Sequence, residues 1–279
     1  MKVAAGRLNL FWRVAVVFLA VTLVWLFVTQ GLGSFFGPAY PDRVGHAVRA
    51  LLTSALVVPL IFLARRYLDR RSWEGLRFTS LRTGWRWLLF GMVFWLVAVG
   101  LGLVVTVVLG WTRISLGTPS VGILLLFLYL PVLVFLYESL PEELIFRGYL
   151  YRNLSARYAR WVSVLAQAML FTLWGAAIGA AGSVDRVVLF FTFSVALGIL
   201  RVISGNLWAT IGFHLAFQWV TQLVSAAVRE GSLQIAEQPT LELVVFWFFP
   251  IVLGSIALIA ASVVRGDADW RGHDPDPLG

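Results

Sequence analysis

Apolar stretches of about twenty residues recur along almost the whole chain with only short polar segments between them, a pattern that predicts membrane spans rather than one soluble core. A helix rising about 1.5 Å per residue needs about 20 apolar residues to cross the hydrocarbon layer. On that measure eight spans fall near residues 10–29, 47–64, 87–109, 121–137, 161–180, 187–200, 207–228 and 243–264. No soluble domain fits in the intervals. The expected fold is all-α, a polytopic membrane bundle of about eight transmembrane helices over residues 1–264, followed at 265–279 by a polar tail. That tail holds Asp267, Asp269, Asp274, Asp276 and two prolines, and is expected as a flexible cytoplasmic extension. Lys2, Arg7 and Arg13 introduce the first apolar run as they would in a signal peptide. The run is longer than a typical signal core and lacks a clean small-residue cleavage site, so a membrane anchor is expected.

Composition supports this pattern: 60% of residues are hydrophobic, 13% are charged, and mean hydropathy is +0.87. Cysteine is absent, which excludes disulfides, cysteine nucleophiles and thiolate metal sites. The formal charge of +8 sits in short loops beside the spans, where it reports topology rather than nucleic-acid binding. Arg65, Arg66, Arg70, Arg71, Arg77, Arg82 and Arg86 face only Asp69 and Glu74, so the positive-inside rule puts this loop in the cytoplasm. Alternate counting puts both termini and Arg147, Arg152, Arg157 and Arg160 on the same side, with Glu230, Glu237 and Glu242 outside. Twenty-one arginines against one lysine, with abundant Ala, Gly and Val, suggest a GC-rich bacterial source and hence a plasma membrane.

Ionisable groups inside a bilayer cost about 2.5 to 3.5 kcal/mol each on insertion scales, which makes every one a functional candidate. The main cluster is Glu142-Glu143-Leu144-Ile145-Phe146-Arg147. On a helix Glu143 and Arg147 share a face and pair, while Glu142 turns about 100° away toward a cavity. An apolar, partly hydrated pocket favours the protonated form of a carboxyl, the setting of a general base, and Glu142 is the candidate. The plainer alternative, an interfacial ion pair with Glu138 and Glu142 facing water, stays open. His214 is a lone histidine in an apolar span with Gln218 one turn later; an imidazole and an amide there serve either as oxyanion donors or as a helix-bridging hydrogen bond. Counting residues puts Glu142 and His214 about 10 to 15 Å inside the cytoplasmic boundary, facing one cavity. His46 is expected in an external loop and His273 in the tail. HExxH is absent as well as cysteine, so no metal and no other cofactor is expected.

These residues resemble the motifs of the CPBP family, membrane proteins related to type II CAAX prenyl endopeptidases and to bacteriocin-processing and immunity proteins. The resemblance covers about residues 121–228. Its first motif, two glutamates followed after three residues by arginine, is matched by Glu142, Glu143 and Arg147, with Phe146 before and Gly148 after the arginine. The resemblance implies an eight-helix bundle with a cytoplasm-facing cavity, Glu142 as the water-activating carboxylate, and Glu143 and Arg147 holding the site together. In the second motif, phenylalanine then histidine four residues on, Phe171 is present but the histidine position is Gly175. The missing imidazole removes a base partner whose contribution to rate is about 10² to 10⁴. The third motif keeps His214 and carries Gln218 where the family has asparagine or aspartate. Glu138, one turn before Glu142, is the nearby titratable group able to share a proton with it.

The leading expectation is an intramembrane glutamate endopeptidase that cleaves a membrane-associated peptide at the cytoplasmic side with reduced activity. The alternative is an inactive relative that binds a peptide, a lipid or a partner membrane protein. A transporter would call for an internal repeat or a pair of broken helices, and the sequence shows neither. Expected partners are membrane lipids and a membrane-associated peptide or protein substrate, with no nucleic acid and no oligomeric state assigned.

Overall fold

The computed structural model describes residues 8–36, 43–266 and 269–275. Lys2, Arg7, Asp267 and Asp276 lie outside the described residues. Among the described residues, eight long helices make up the bundle: α1 (Leu10–Gly31), α2 (Val44–Asp69), α3 (Leu81–Val108), α4 (Val121–Ser155), α5 (Arg160–Ala177), α6 (Val184–Ser204), α7 (Leu207–Glu230) and α8 (Gln238–Arg265). Seven of the helical segments are long and apolar enough to cross a membrane. The exception, α5, is diluted by Arg160, Ser163 and Gln167. Its exposed residues Trp161, Leu165, Met169 and Leu173 nevertheless form one stripe at helical spacing. Exposed Leu19, Leu23, Val104, Leu128 and Val263 extend the same apolar surface around the bundle, as lipid contact requires. This is a multi-pass membrane protein.

Short connections make successive helices run in opposite directions, so the bundle has two ends. One end carries the starts of α1, α3, α5 and α7, together with the arginine-rich segment. Its connections are tied together: the Leu207 amide donates to the Arg77 carbonyl at 3.1 Å, and Arg13 and Arg65 both pair with Asp69 at 2.7 and 3.0 Å. The opposite end carries a two-stranded antiparallel ribbon, β1 (Arg113–Leu116) with β2 (Leu233–Ala236), that the hydrophobic pattern did not predict.

The most extensive packing joins α3 to α7, and small residues explain it. A Cβ on Gly91 would lie 1.9 Å from the Ala209 carbonyl oxygen, and one on Gly212 would lie 2.0 Å from that of Leu88. In lipid, association relies on close packing rather than apolar burial, so glycines at such contacts set how near two helices come. Gly212 is two residues before His214, so this contact also fixes the histidine.

Residues 269–275 lie against the arginine-rich end rather than extending from it as expected. The Asp274 carboxylate pairs with Arg152, its amide donates to the Ser155 carbonyl at 2.8 Å, and the Gly272 carbonyl accepts from the Arg160 amide at 3.1 Å. Burial alone would raise the Asp274 pKa, but Arg152, with Arg201 and Arg160 beyond it, holds the carboxyl below its ordinary value. His273 is exposed. His46, expected in a loop, lies inside α2, 3% exposed, with its ring edge-on to Tyr137 at 5.7 Å.

Candidate active site

The first motif lies within α4, not after its end as the 121–137 span implied. The helix continues past Tyr137, and its turns widen at Phe135–Ser139 and Leu144–Leu150, on either side of the two glutamates. Pro141 accounts for part of this. The Leu140 amide reaches back five residues to the Phe135 carbonyl, which assigns the Leu136 carbonyl to residue 141, and proline has no N–H to offer. The Ser54 hydroxyl of α2 donates to Leu136 instead, at 2.5 Å. Widened turns of this kind are often found at functional sites, where they re-aim side chains.

Glu143 and Arg147 pair at 2.9 Å, both fully buried. Arg147 also donates to the Ser194 hydroxyl at 2.8 Å and stands over the Phe171 ring at 4.8 Å. Gln167 of α5 closes this support, donating to the Ser194 carbonyl at 3.0 Å and accepting from its hydroxyl at 3.3 Å. Ser194 and Gln167 were not singled out from sequence. Their signal was available, since each is a polar residue in the middle of an apolar span.

His214 Nδ1 lies 3.0 Å from Glu143 Oε1, a contact the spacing did not foretell. Glu143 is paired with Arg147 and therefore ionised, so it only accepts and Nδ1 must carry the proton. The neutral ring then presents Nε2 as an acceptor, 3.9 Å from Glu142 Oε2. His214 acts as an oxyanion donor through Nε2 only when it is imidazolium; neutral, it offers a second base beside Glu142. Phe193 stands edge-on to the ring at 4.9 Å and restricts its orientation.

Glu142, Glu138, His214 and Gln218 all line one open cavity of about 1010 Å³, whereas Glu143 and Arg147 sit behind its wall. Gln222, one turn past Gln218, donates to both Glu138 oxygens at 3.1 and 3.0 Å and to Gln218 Oε1 at 3.4 Å. The Gln218 amide N–H groups are not used in that chain. Among the described residues, no group of three or more His, Cys, Asp or Glu is placed to hold a metal ion.

This arrangement puts two carboxylates, an oriented imidazole and an amide on one cavity wall, with an ion pair locking the imidazole from behind. Residues 120–220 match the family model described as type II CAAX prenyl endopeptidase Rce1-like. The chain carries an Rce1-like domain of the CPBP family. Its limits nearly coincide with the 121–228 expected from the motifs. No curated protein and no solved structure matches the chain.

Two features of the Rce1-like domain differ from what the motifs implied. Phe190 of α6 fills the space beside Gly175: a Cβ there would lie 2.5 Å from two Phe190 ring carbons. The cavity, expected to face the arginine-rich end, extends to Gly179, Asp185, Arg229, Gln238 and Glu242, exposed residues that belong to the opposite end.

Proposed function

We propose that the protein is an intramembrane glutamate endopeptidase acting on a membrane-associated peptide, in a bacterial plasma membrane with its arginine-rich end and both termini in the cytoplasm. The observation that carries this reading is the meeting of Glu142 and His214 Nε2 at the cavity wall, with Nδ1 locked onto the Glu143–Arg147 pair.

Glu142 takes a proton from water as the oxygen bonds to the peptide carbonyl carbon; the C–N bond then breaks and the proton passes to the leaving amine. His214 is the second base on that water, standing in for the imidazole that Gly175 lacks. The Gln218 amide donates to the developing oxyanion, a role worth about 10² to 10³ in rate where it has been measured elsewhere. Glu138, clamped by Gln222, shares the proton of Glu142 and sets the acid limb of the pH profile.

The test is cleavage of membrane-anchored peptides by protein reconstituted in lipid. Glu142→Ala is expected to abolish it, and Glu138→Gln to shift the pH profile while leaving cleavage measurable. The second reading, a non-catalytic relative that binds a peptide in this cavity, is favoured by the way Phe190 closes the space at Gly175. Peptide binding without cleavage, unchanged by Glu142→Ala, would decide for it.

A further inference from the structure

The cavity and the charges of this chain point in opposite directions. Toward the arginine-rich end the site has a solid floor: residues 141–155 of α4, 196–201 of α6 and 207–216 of α7 are all buried. Beneath that floor Asp69 holds Arg13, Arg65, Tyr149 and Asn153, and the tail lies across Arg152 and Ser155. A peptide arriving from that end meets packed side chains and a saturated polar network.

Toward the other end the same helices open. Past residue 216 the α7 residues are half-buried or exposed, and Thr221, Ser225 and Arg229 follow one another along the cavity wall to its mouth. Seven residues separate His214 from the start of α7 and sixteen from its end, or about 10 and 24 Å at the helical rise. The site is therefore nearer the arginine-rich end, yet its cavity extends toward the far one.

We propose that the site is entered from the extracytoplasmic side, and that its substrate is a polypeptide already exported, with an apolar segment presented from the outer leaflet. The proposal rests on the peptidase reading for its substrate. The side follows from charge alone. Among the described residues, the connections and adjoining helix ends at the mouth carry Arg43, Arg113, Arg186 and Arg229 against Asp185, Glu230, Glu237 and Glu242, whereas those at the floor carry the seven arginines of 65–86 with Arg152, Arg157 and Arg160 against Asp69 and Glu74. Cationic loops stay in the cytoplasm. Aromatic walls, among them Phe190, Phe217 and Trp247, suit apolar peptide side chains, and the mixed charges at the mouth suit its polar flanks.

The absence of cysteine makes the test direct. Thr221→Cys places one thiol on the cavity wall, Glu230→Cys marks the mouth end, and Glu74→Cys marks the arginine-rich end. Each is exposed to a membrane-impermeant maleimide in right-side-out and in inside-out vesicles. The expected result is that Thr221→Cys labels with Glu230→Cys, in right-side-out vesicles, and is protected where Glu74→Cys reacts. Labelling of Thr221→Cys together with Glu74→Cys, or from neither side, would overturn the proposal. Because labelling needs no catalysis, a protein that cleaves nothing still gives this answer, and a cleaving one labelled from the arginine-rich side still refutes it.

Discussion

Phe190 makes restoration of the second-motif histidine a two-residue problem. Carbon atoms pack at about 3.5 to 4.0 Å, and a Cβ at position 175 would lie 2.5 Å from Cδ1 and Cε1 of Phe190, an overlap of about 1 Å before any imidazole is added. Phe190 cannot yield without cost, because it stacks on Phe171 at 5.2 Å, and Phe171 in turn lies under Arg147. Overpacking costs about 1 to 3 kcal/mol, and loss of an aromatic pair about 0.5 to 1.5 kcal/mol. Gly175→His alone is therefore expected to lower the unfolding temperature in detergent and to add no activity. Truncating Phe190 to alanine clears the space, so the double variant should recover stability relative to the sum of the single changes, with a coupling of about 1 kcal/mol or more. If the imidazole then reaches the water at Glu142, cleavage rises by up to about 10² to 10⁴ in the double variant only. The assay is a thermal-melt cycle over the four proteins with peptide cleavage measured in parallel. A Gly175→His protein as stable as wild type, with additive effects in the cycle, refutes the reasoning.

Three further outcomes follow from the packing and the charges. Arg147→Ala leaves Glu143 ionised and buried without its cation, which should destabilise the fold by about 3 to 5 kcal/mol, whereas Glu142→Gln removes activity with little change in melting; equal melting losses in the two would contradict the division of labour. Gly91→Val drives a side chain into the Ala209 carbonyl and should separate α3 from α7, seen as loss of folded protein in detergent, while Gly100→Ala, with open space around its Cβ, should be tolerated. Asp274 has a lowered pKa in the fold, so its bond to Arg152 contributes stability above the carboxyl's ordinary value and loses it as pH falls below that value through the folded pKa; Asp274→Asn should free the 269–275 segment at neutral pH, read as faster proteolysis there, and the difference from wild type should vanish in acid.

The eight helices were legible because seven are long apolar runs and α5 keeps an apolar stripe despite Ser163 and Gln167, and the Glu143–Arg147 bond because a four-residue spacing on a helix leaves little choice of partner. The bond from His214 to Glu143 was not, since it joins residues 71 apart in the chain and depends on how α7 sits against α4. The seat of α7 against α3 is set by Gly91 and Gly212, whose role likewise shows only when the facing carbonyls are in place. The boundary drawn after Tyr137 was too early because span length counts what lipid requires. In α4 the continuation to Ser155 is wrapped by protein instead, so polar residues there do not end the helix.

Depth and access are separate quantities, and the cytoplasm-facing cavity that the resemblance implies does not follow from depth. Counting along α7 correctly sets His214 near the arginine-rich end, but nearness along the axis says nothing about which side is plugged. The plug here consists of the charges that mark that side: Asp69 gathers Arg13 and Arg65 from two helices, and Arg152 gathers the tail. An isolated arginine at that depth would need a water-filled path, whereas one satisfied by protein partners closes the path. On the proposed orientation, the residues whose charge would hold this end in the cytoplasm also seal it by their hydrogen bonds, so orientation and access would be coupled in one network. On that reading neutralising Asp69 would disturb both, and it is at Asp69, not at Glu142, that a change in the side of entry would have to begin.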